Sequence, residues 1–141
     1  MVTKGTTMNK RVRAIIMQND SILLIHRIKK DDEYWVFPGG GIEKYNGDDE
    51  KLALKRECKE ELGVTVEVGD FFEKVVKGDT EEMFYFCTVT GGNIGTGNGP
   101  EFKKNSGYKG SHAPEWIPLQ DFSSKRILPE TIKQKLERRV L

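Results

Sequence analysis

The stretch RECKEELGV, Arg56 to Val64, crowds Glu57, Glu60 and Glu61 into five residues just before a glycine. At about 100° per residue, Leu54, Cys58 and Leu62 fall within about 80° of one another and form one apolar stripe. The spacing predicts a helix over Leu52 to Leu62, closed by Gly63 as C-terminal cap and opened by Asp48 or Asp49 as N-cap. All three carboxylates occupy the sector beside the stripe, with Glu61 nearest to it, at the edge of whatever the helix docks against. Leu52 falls outside the stripe and has no evident partner.

A solvated charged face is the plain explanation of such a helix, and its energetics oppose it here. Glu57 with Glu60 and Glu57 with Glu61 are like-charge pairs costing roughly 0.2–0.5 kcal/mol each, and two glutamates at the negative end of the helix dipole cost roughly 0.3–1 kcal/mol each. Arg56, one turn before Glu60, recovers part of this. Clustered carboxylates of this kind take up protons or recruit a cation. Oxygen ligands suit Mg²⁺ or Mn²⁺, which fill the rest of their octahedron with water and substrate phosphates. The implied chemistry is hydrolysis at phosphorus.

Outward from the helix, Val12 to Met17 and Ser21 to His26 flank the turn residues Gln18-Asn19-Asp20 and predict a hairpin. Tyr34 to Phe37 predicts a short buried strand cut off by Pro38 and three glycines. Downstream, the alternating Val64, Val66 and Val68, then Phe71 to Val76, then Met83 to Val89 predict three more strands, with a turn at Gly78-Asp79. Gly91 to Gly99 predicts a loop that continues through Gly110. Pro129 opens a last helix in which Ile132, Leu136 and Val140 recur on one face. Strands interleaved with two helices predict an α/β or α+β domain.

Length and charge bound the function. A chain of 141 residues, 36% of them hydrophobic, suffices for one core, and 23 Lys plus Arg against 22 Asp plus Glu argue against a general grip on nucleic acid or membrane. Cys58 and Cys87 form no Cys-x-x-Cys pair, and the longest early apolar run, Ala14 to Met17, is far too short for a signal peptide or a membrane span. A cytoplasmic protein is expected, with residues 1–8 a flexible leader and 9–141 a single domain, present as monomer or homodimer.

PGGGIEKYNGDDEKLALKRECKEELGV, Pro38 to Val64, resembles the Nudix box, Gly-x5-Glu-x7-Arg-Glu-U-x-Glu-Glu-x-Gly-U, where U is a bulky aliphatic residue. Its second half agrees at every fixed position, with Arg56, Glu57, Glu60, Glu61 and Gly63 in place and Cys58 and Val64 at the U sites. The first half departs: seven residues rather than five separate Gly40 from an acidic position that is Asp48 instead of Glu. The Lys44-Tyr45-Asn46 bulge holds the insertion, and Asp48 is read as a helix cap.

The resemblance implies a Nudix α/β/α sandwich, a mixed β-sheet with the box helix and a C-terminal helix. It implies an enzyme that uses Mg²⁺ or Mn²⁺ to cleave a nucleotide-type small molecule, a nucleoside diphosphate linked to another group. Glu57, Glu60 and Glu61 match the family's metal-binding glutamates, and Arg56 matches an arginine that orients one of them. A carbonyl in the Gly39-Gly40 turn is implied as a further ligand and substrate contact. Arg27, closing LLIHR, matches an arginine that contacts phosphate, with a solvated strand end as the alternative; His26 is read as a surface or satisfied histidine. For a further glutamate acting as general base or ligand through water, Glu101 in GPEF comes first, Glu115 in PEWIPL second, and Glu81 or Glu82 third. Trp116 is read as core, and Tyr34, Trp35, Phe102 and Tyr108 lie on segments that could reach a nucleobase. The rivals are a Nudix-fold module that binds nucleotides without hydrolysis and an acidic protein-interaction helix.

Overall fold

A computed structural model describes residues 9–42, 49–95 and 111–140, with backbone only at Ser111 and Val140. The expected leader, the Lys44-Tyr45-Asn46 bulge, Asp48, Glu101, Phe102 and Tyr108 lie outside the described residues.

The predicted hairpin forms from β1 (Asn9–Gln18) and β2 (Ser21–Lys29). Asn19 and Asp20 both take positive φ, 48° and 61°, the conformation that a two-residue hairpin turn requires and that Asn and Asp tolerate. The two strands pair only at Met17–Ile22 and Gln18–Ser21 and then diverge. Into the resulting V fits a second one. β3 (Asp32–Val36) lies antiparallel on β2, and after Phe37-Pro38 the chain returns as β4 (Gly39–Gly41), antiparallel on β1.

The glycines after Pro38 are therefore strand, not the turn that their composition suggested. At Gly39, φ is 150° and an added Cβ would lie 1.9 Å from the Val12 carbonyl oxygen, so only glycine lets β4 approach β1 this closely.

β5 (Val64–Lys77) and β6 (Thr80–Gly92) complete the first half of the sheet, with β6 parallel to β1. Val64 to Val68 and Phe71 to Val76 thus belong to one long strand, not two. Register shifts between Val68 and Phe71 absorb Gly69-Asp70 as a bulge, which breaks the sequence alternation without breaking the strand.

The second half holds β2, β3, β7 (Ser111–Pro118) and the short β8 (Ile127–Leu128), a strand parallel to β3. Sequence reading missed β7, whose Pro114 and Pro118 mask an edge strand pairing with β2.

α1 (Glu50–Leu62) starts two residues before the prediction. The Asp49 side chain accepts the Leu52 N–H at 3.1 Å, and Gly63, at φ 83°, closes the far end by donating its N–H to the Lys59 carbonyl at 3.0 Å. Ala53, Leu54, Cys58 and Leu62 are buried against Val12, Ala14 and Ile16 of β1 and Val64 and Val66 of β5. Leu52 lies on the exposed side.

α2 (Glu130–Val140) buries Ile132 and Leu136 on the opposite face of the sheet with Ile15, Leu24, Trp35, Phe37 and Phe84. Strict alternation along β1, β2 and β6 produces these two cores, giving the expected α/β/α layering. Both cysteines are free and buried, and burial raises both thiols, that of Cys87 to about 12. Among the described residues no helix is long and apolar enough to cross a membrane.

Candidate functional site

The acidic sector of α1 faces β4. Exposure grades across it: the Glu60 side chain is 41% exposed, whereas those of Glu57 and Glu61 keep only 17% and 10%. The three are held differently. Arg56 places Nη1 3.1 Å from Glu57 Oε2 and 3.4 Å from Glu60 Oε1, while its Nη2 donates to the Gly41 carbonyl at 3.2 Å. One guanidinium thus ties two helix carboxylates to the glycine strand.

Glu61 is held without Arg56. The Gly39 N–H donates to Glu61 Oε1 at 2.8 Å, and His112 Nε2 on β7 lies 3.2 Å from Glu61 Oε2. Gly40 completes the cradle, because a Cβ there would lie 2.4 Å from the Glu57 carboxylate. Glycine at position 40 lets main chain and acid meet, and at position 39 it lets the strand that carries the N–H lie against β1.

This packing perturbs Glu57. Burial raises its carboxyl above the ordinary range; Glu60 and Glu61 push the same way and Arg56 opposes them. The folded state then binds this proton more tightly than the unfolded chain. Its stabilising contribution is complete below the ordinary value of 4.5 and is lost as pH rises through the raised one. In chelator, the melting temperature of the protein should therefore fall over that window relative to Glu57→Gln, measured by thermal melts from about pH 4 to about pH 7. A wild-type curve that holds or climbs relative to the variant would contradict the shift.

Among the described residues no three His, Cys, Asp or Glu side chains converge as a finished metal shell. The donor set nevertheless fits a hard divalent cation: the helix supplies carboxylate oxygen, β4 supplies backbone, and the absence of a Cβ at Gly40 lets the Glu57 carboxylate lie against that backbone.

Arg27 sits on β2 with Tyr34 of β3 and His112 of β7 as cross-strand neighbours. Alternation along β2 sets it on the same face as Leu23 and Ile25, which pack in the α1 core. The arginine is therefore one strand from the histidine that touches Glu61. The other candidates lie elsewhere. Glu115 accepts the Trp35 Nε1–H at 2.9 Å and contacts His26, so it turns away from the acid helix. His26 stacks on Trp35 and pairs with Glu33, a satisfied histidine as expected. Trp116 packs against the α1 core, also as expected.

Glu82 pairs with Arg13 at 3.0 Å, and Arg13 also donates to the Phe37 carbonyl. Both line a cavity of about 330 Å³ on the α2 face, with Phe37, Phe84, Lys77 and Thr80 among its walls. Phe37 and Gly39 are separated only by Pro38, so cavity and acid cradle share one segment.

Two features escaped the sequence reading, His112 and this cavity. His112 stands isolated in a glycine-rich context, and only the pairing of β7 with β2 brings it to α1.

The NUDIX domain model matches residues 8–138, and the chain belongs to that family of hydrolases. Solved structures share the fold at low identity. The E. coli ORF135 protein is 22% identical, with 100% of this chain and 95% of that chain covered at a TM-score of 0.66. A MutT structure, from work on Aliivibrio salmonicida and Vibrio cholerae, is 22% identical over 94% and 98% of the two chains, at 0.67. An ADP-ribose pyrophosphatase from Streptococcus suis is 23% identical over 86% and 81%, at 0.62. No curated protein matches the chain.

Proposed function

We propose that this protein hydrolyses a diphosphate linkage in a nucleoside diphosphate derivative with Mg²⁺ or Mn²⁺. One observation carries this: the buried acid edge of α1 meets a strand whose Gly39 N–H donates to Glu61 and whose Gly40 has no Cβ to displace the Glu57 carboxylate. A purely solvated acidic helix needs no such partner. Family membership supports the same reaction class, and the names of structural neighbours, ADP-ribose pyrophosphatase among them, support a nucleotide-type substrate.

Glu57, Glu60 and Glu61 would hold the metal with main chain at Gly39, and Arg56 would fix the orientation of Glu57 and Glu60. A bound divalent ion supplies charge neutralisation at phosphate and a lowered pKa for the attacking water. Arg27 would contact a phosphate, two charge-assisted hydrogen bonds being what a guanidinium offers such a group. The cavity beside Phe37 has the size and aromatic walls for a nucleoside. Glu101 remains our candidate base. Two buried, reduced cysteines suit a reducing cytoplasm.

The test is a turnover screen of nucleotide sugars, dinucleotides and canonical and oxidised nucleoside triphosphates, with Mn²⁺ present or chelated. Metal-dependent release of a nucleoside monophosphate is expected for at least one substrate class. Nucleotide binding that raises the melting temperature without any product would instead identify a non-catalytic binding module.

A further inference from the structure

His112 was not anticipated, and its surroundings are specific. Its side chain is only 7% exposed, its Nε2 lies 3.2 Å from Glu61 Oε2, and the other oxygen of that carboxylate takes the Gly39 N–H at 2.8 Å. Glu61 is thus gripped at both oxygens by two elements distant in sequence, β4 and β7. An unrestrained glutamate has three rotatable side-chain bonds, and a ligand that wanders among rotamers binds metal less tightly. The same imidazole stands beside Arg27, its cross-strand partner on β2. It therefore lies between the acid helix and the arginine assigned to phosphate.

We propose that His112 is a positioning residue for Glu61: with the Gly39 amide it locks the carboxylate in one orientation and fixes its spacing from Arg27. The inference rests on the metal-dependent hydrolysis proposed above. It needs only a donor at the Nε2 position, so a side chain that restores that donor must restore the function. A histidine kept merely to fill space makes the opposite prediction, that shape and not the donor matters.

The experiment compares His112→Leu, His112→Asn and His112→Gln in the full chain. Glutamine can bring an N–H to the Nε2 position; asparagine is polar but too short; leucine fills space without a donor. Mn²⁺ affinity is read by electron paramagnetic resonance of free Mn²⁺, kcat and KM by steady-state turnover, and folding by melting in chelator. For the leucine and asparagine variants, Mn²⁺ affinity and kcat should each fall about 10- to 100-fold, the range for residues that orient a metal ligand. KM should move far less. The glutamine variant should recover both quantities to within about threefold of wild type on the same basis. If leucine destabilises the fold, the comparison of asparagine with glutamine decides alone. Asparagine or leucine variants that keep wild-type affinity and kcat would overturn the role of His112 while leaving the hydrolysis intact, as would a glutamine variant as impaired as asparagine at equal melting temperature. A wild-type protein that neither binds Mn²⁺ nor turns over any substrate would overturn both.

Discussion

Glu57→Gln should lower Mg²⁺-dependent kcat by about 10²- to 10³-fold, the equivalent of the several kcal/mol of transition-state charge stabilisation that a divalent ion provides at phosphate. Glutamine keeps the volume of the side chain and an oxygen able to face Arg56, so the packing against Gly40 survives. What disappears is the charge, which Arg56 and partial burial hold at this position. The metal-free variant should melt no lower than wild type at neutral pH, because its loss removes a carboxylate that burial disfavours. Steady-state kinetics alongside melting separate the two effects. Unchanged turnover in a folded variant would refute the assignment of Glu57 as a ligand.

The second large effect concerns two adjacent glycines with opposite outcomes. Gly39→Ala should destabilise the fold by about 2–6 kcal/mol, adding a strained positive φ to an overpacked contact. Its new methyl would strike the Val12 carbonyl oxygen, part of the backbone of β1 and pinned between β4 and β6. Backbone in a ladder cannot yield. Against a total stability of about 5–15 kcal/mol, this is enough to threaten folding.

Gly40→Ala meets only the end of the Glu57 side chain, which can rotate away. It should keep the fold, with a stability change of about 1 kcal/mol, and lose activity as Glu57→Gln does. Denaturant unfolding of both variants beside turnover of Gly40→Ala tests the pair. If Gly39→Ala unfolds with the wild-type midpoint, β4 does not pack on β1 as described.

Why the acid helix was legible and the rest of its surroundings was not follows from range. Leu54, Cys58 and Leu62 repeat at helical spacing, and Asp49 and Gly63 punctuate the ends within the same stretch, so local rules sufficed for α1. The placement of Glu61 nearest the apolar stripe likewise emerged as near-complete burial.

Partners from distant strands followed no local rule. β4 reads as a turn because three glycines carry no β signal, and it becomes a strand only where β1 offers an edge. Prolines hide β7, and with it His112. The bulge at Gly69-Asp70 interrupts the period-two pattern, which split β5 in the sequence reading. Glu115, attractive because PEWIPL resembles the region in which family members carry a further glutamate, faces Trp35, since strand alternation gives neighbouring residues opposite sides.

The segment at the crotch of the two nested Vs is anchored to both arms: Val36 pairs with Ile25, the Ala14 N–H donates to the Pro38 carbonyl at 2.8 Å, and Gly39 pairs with Arg13. A stretch so rich in glycine invites comparison with a supple flap, yet this one behaves as an anvil. Its dipoles are set before any ligand arrives, so the free energy of arranging them is spent during folding and not at each turnover.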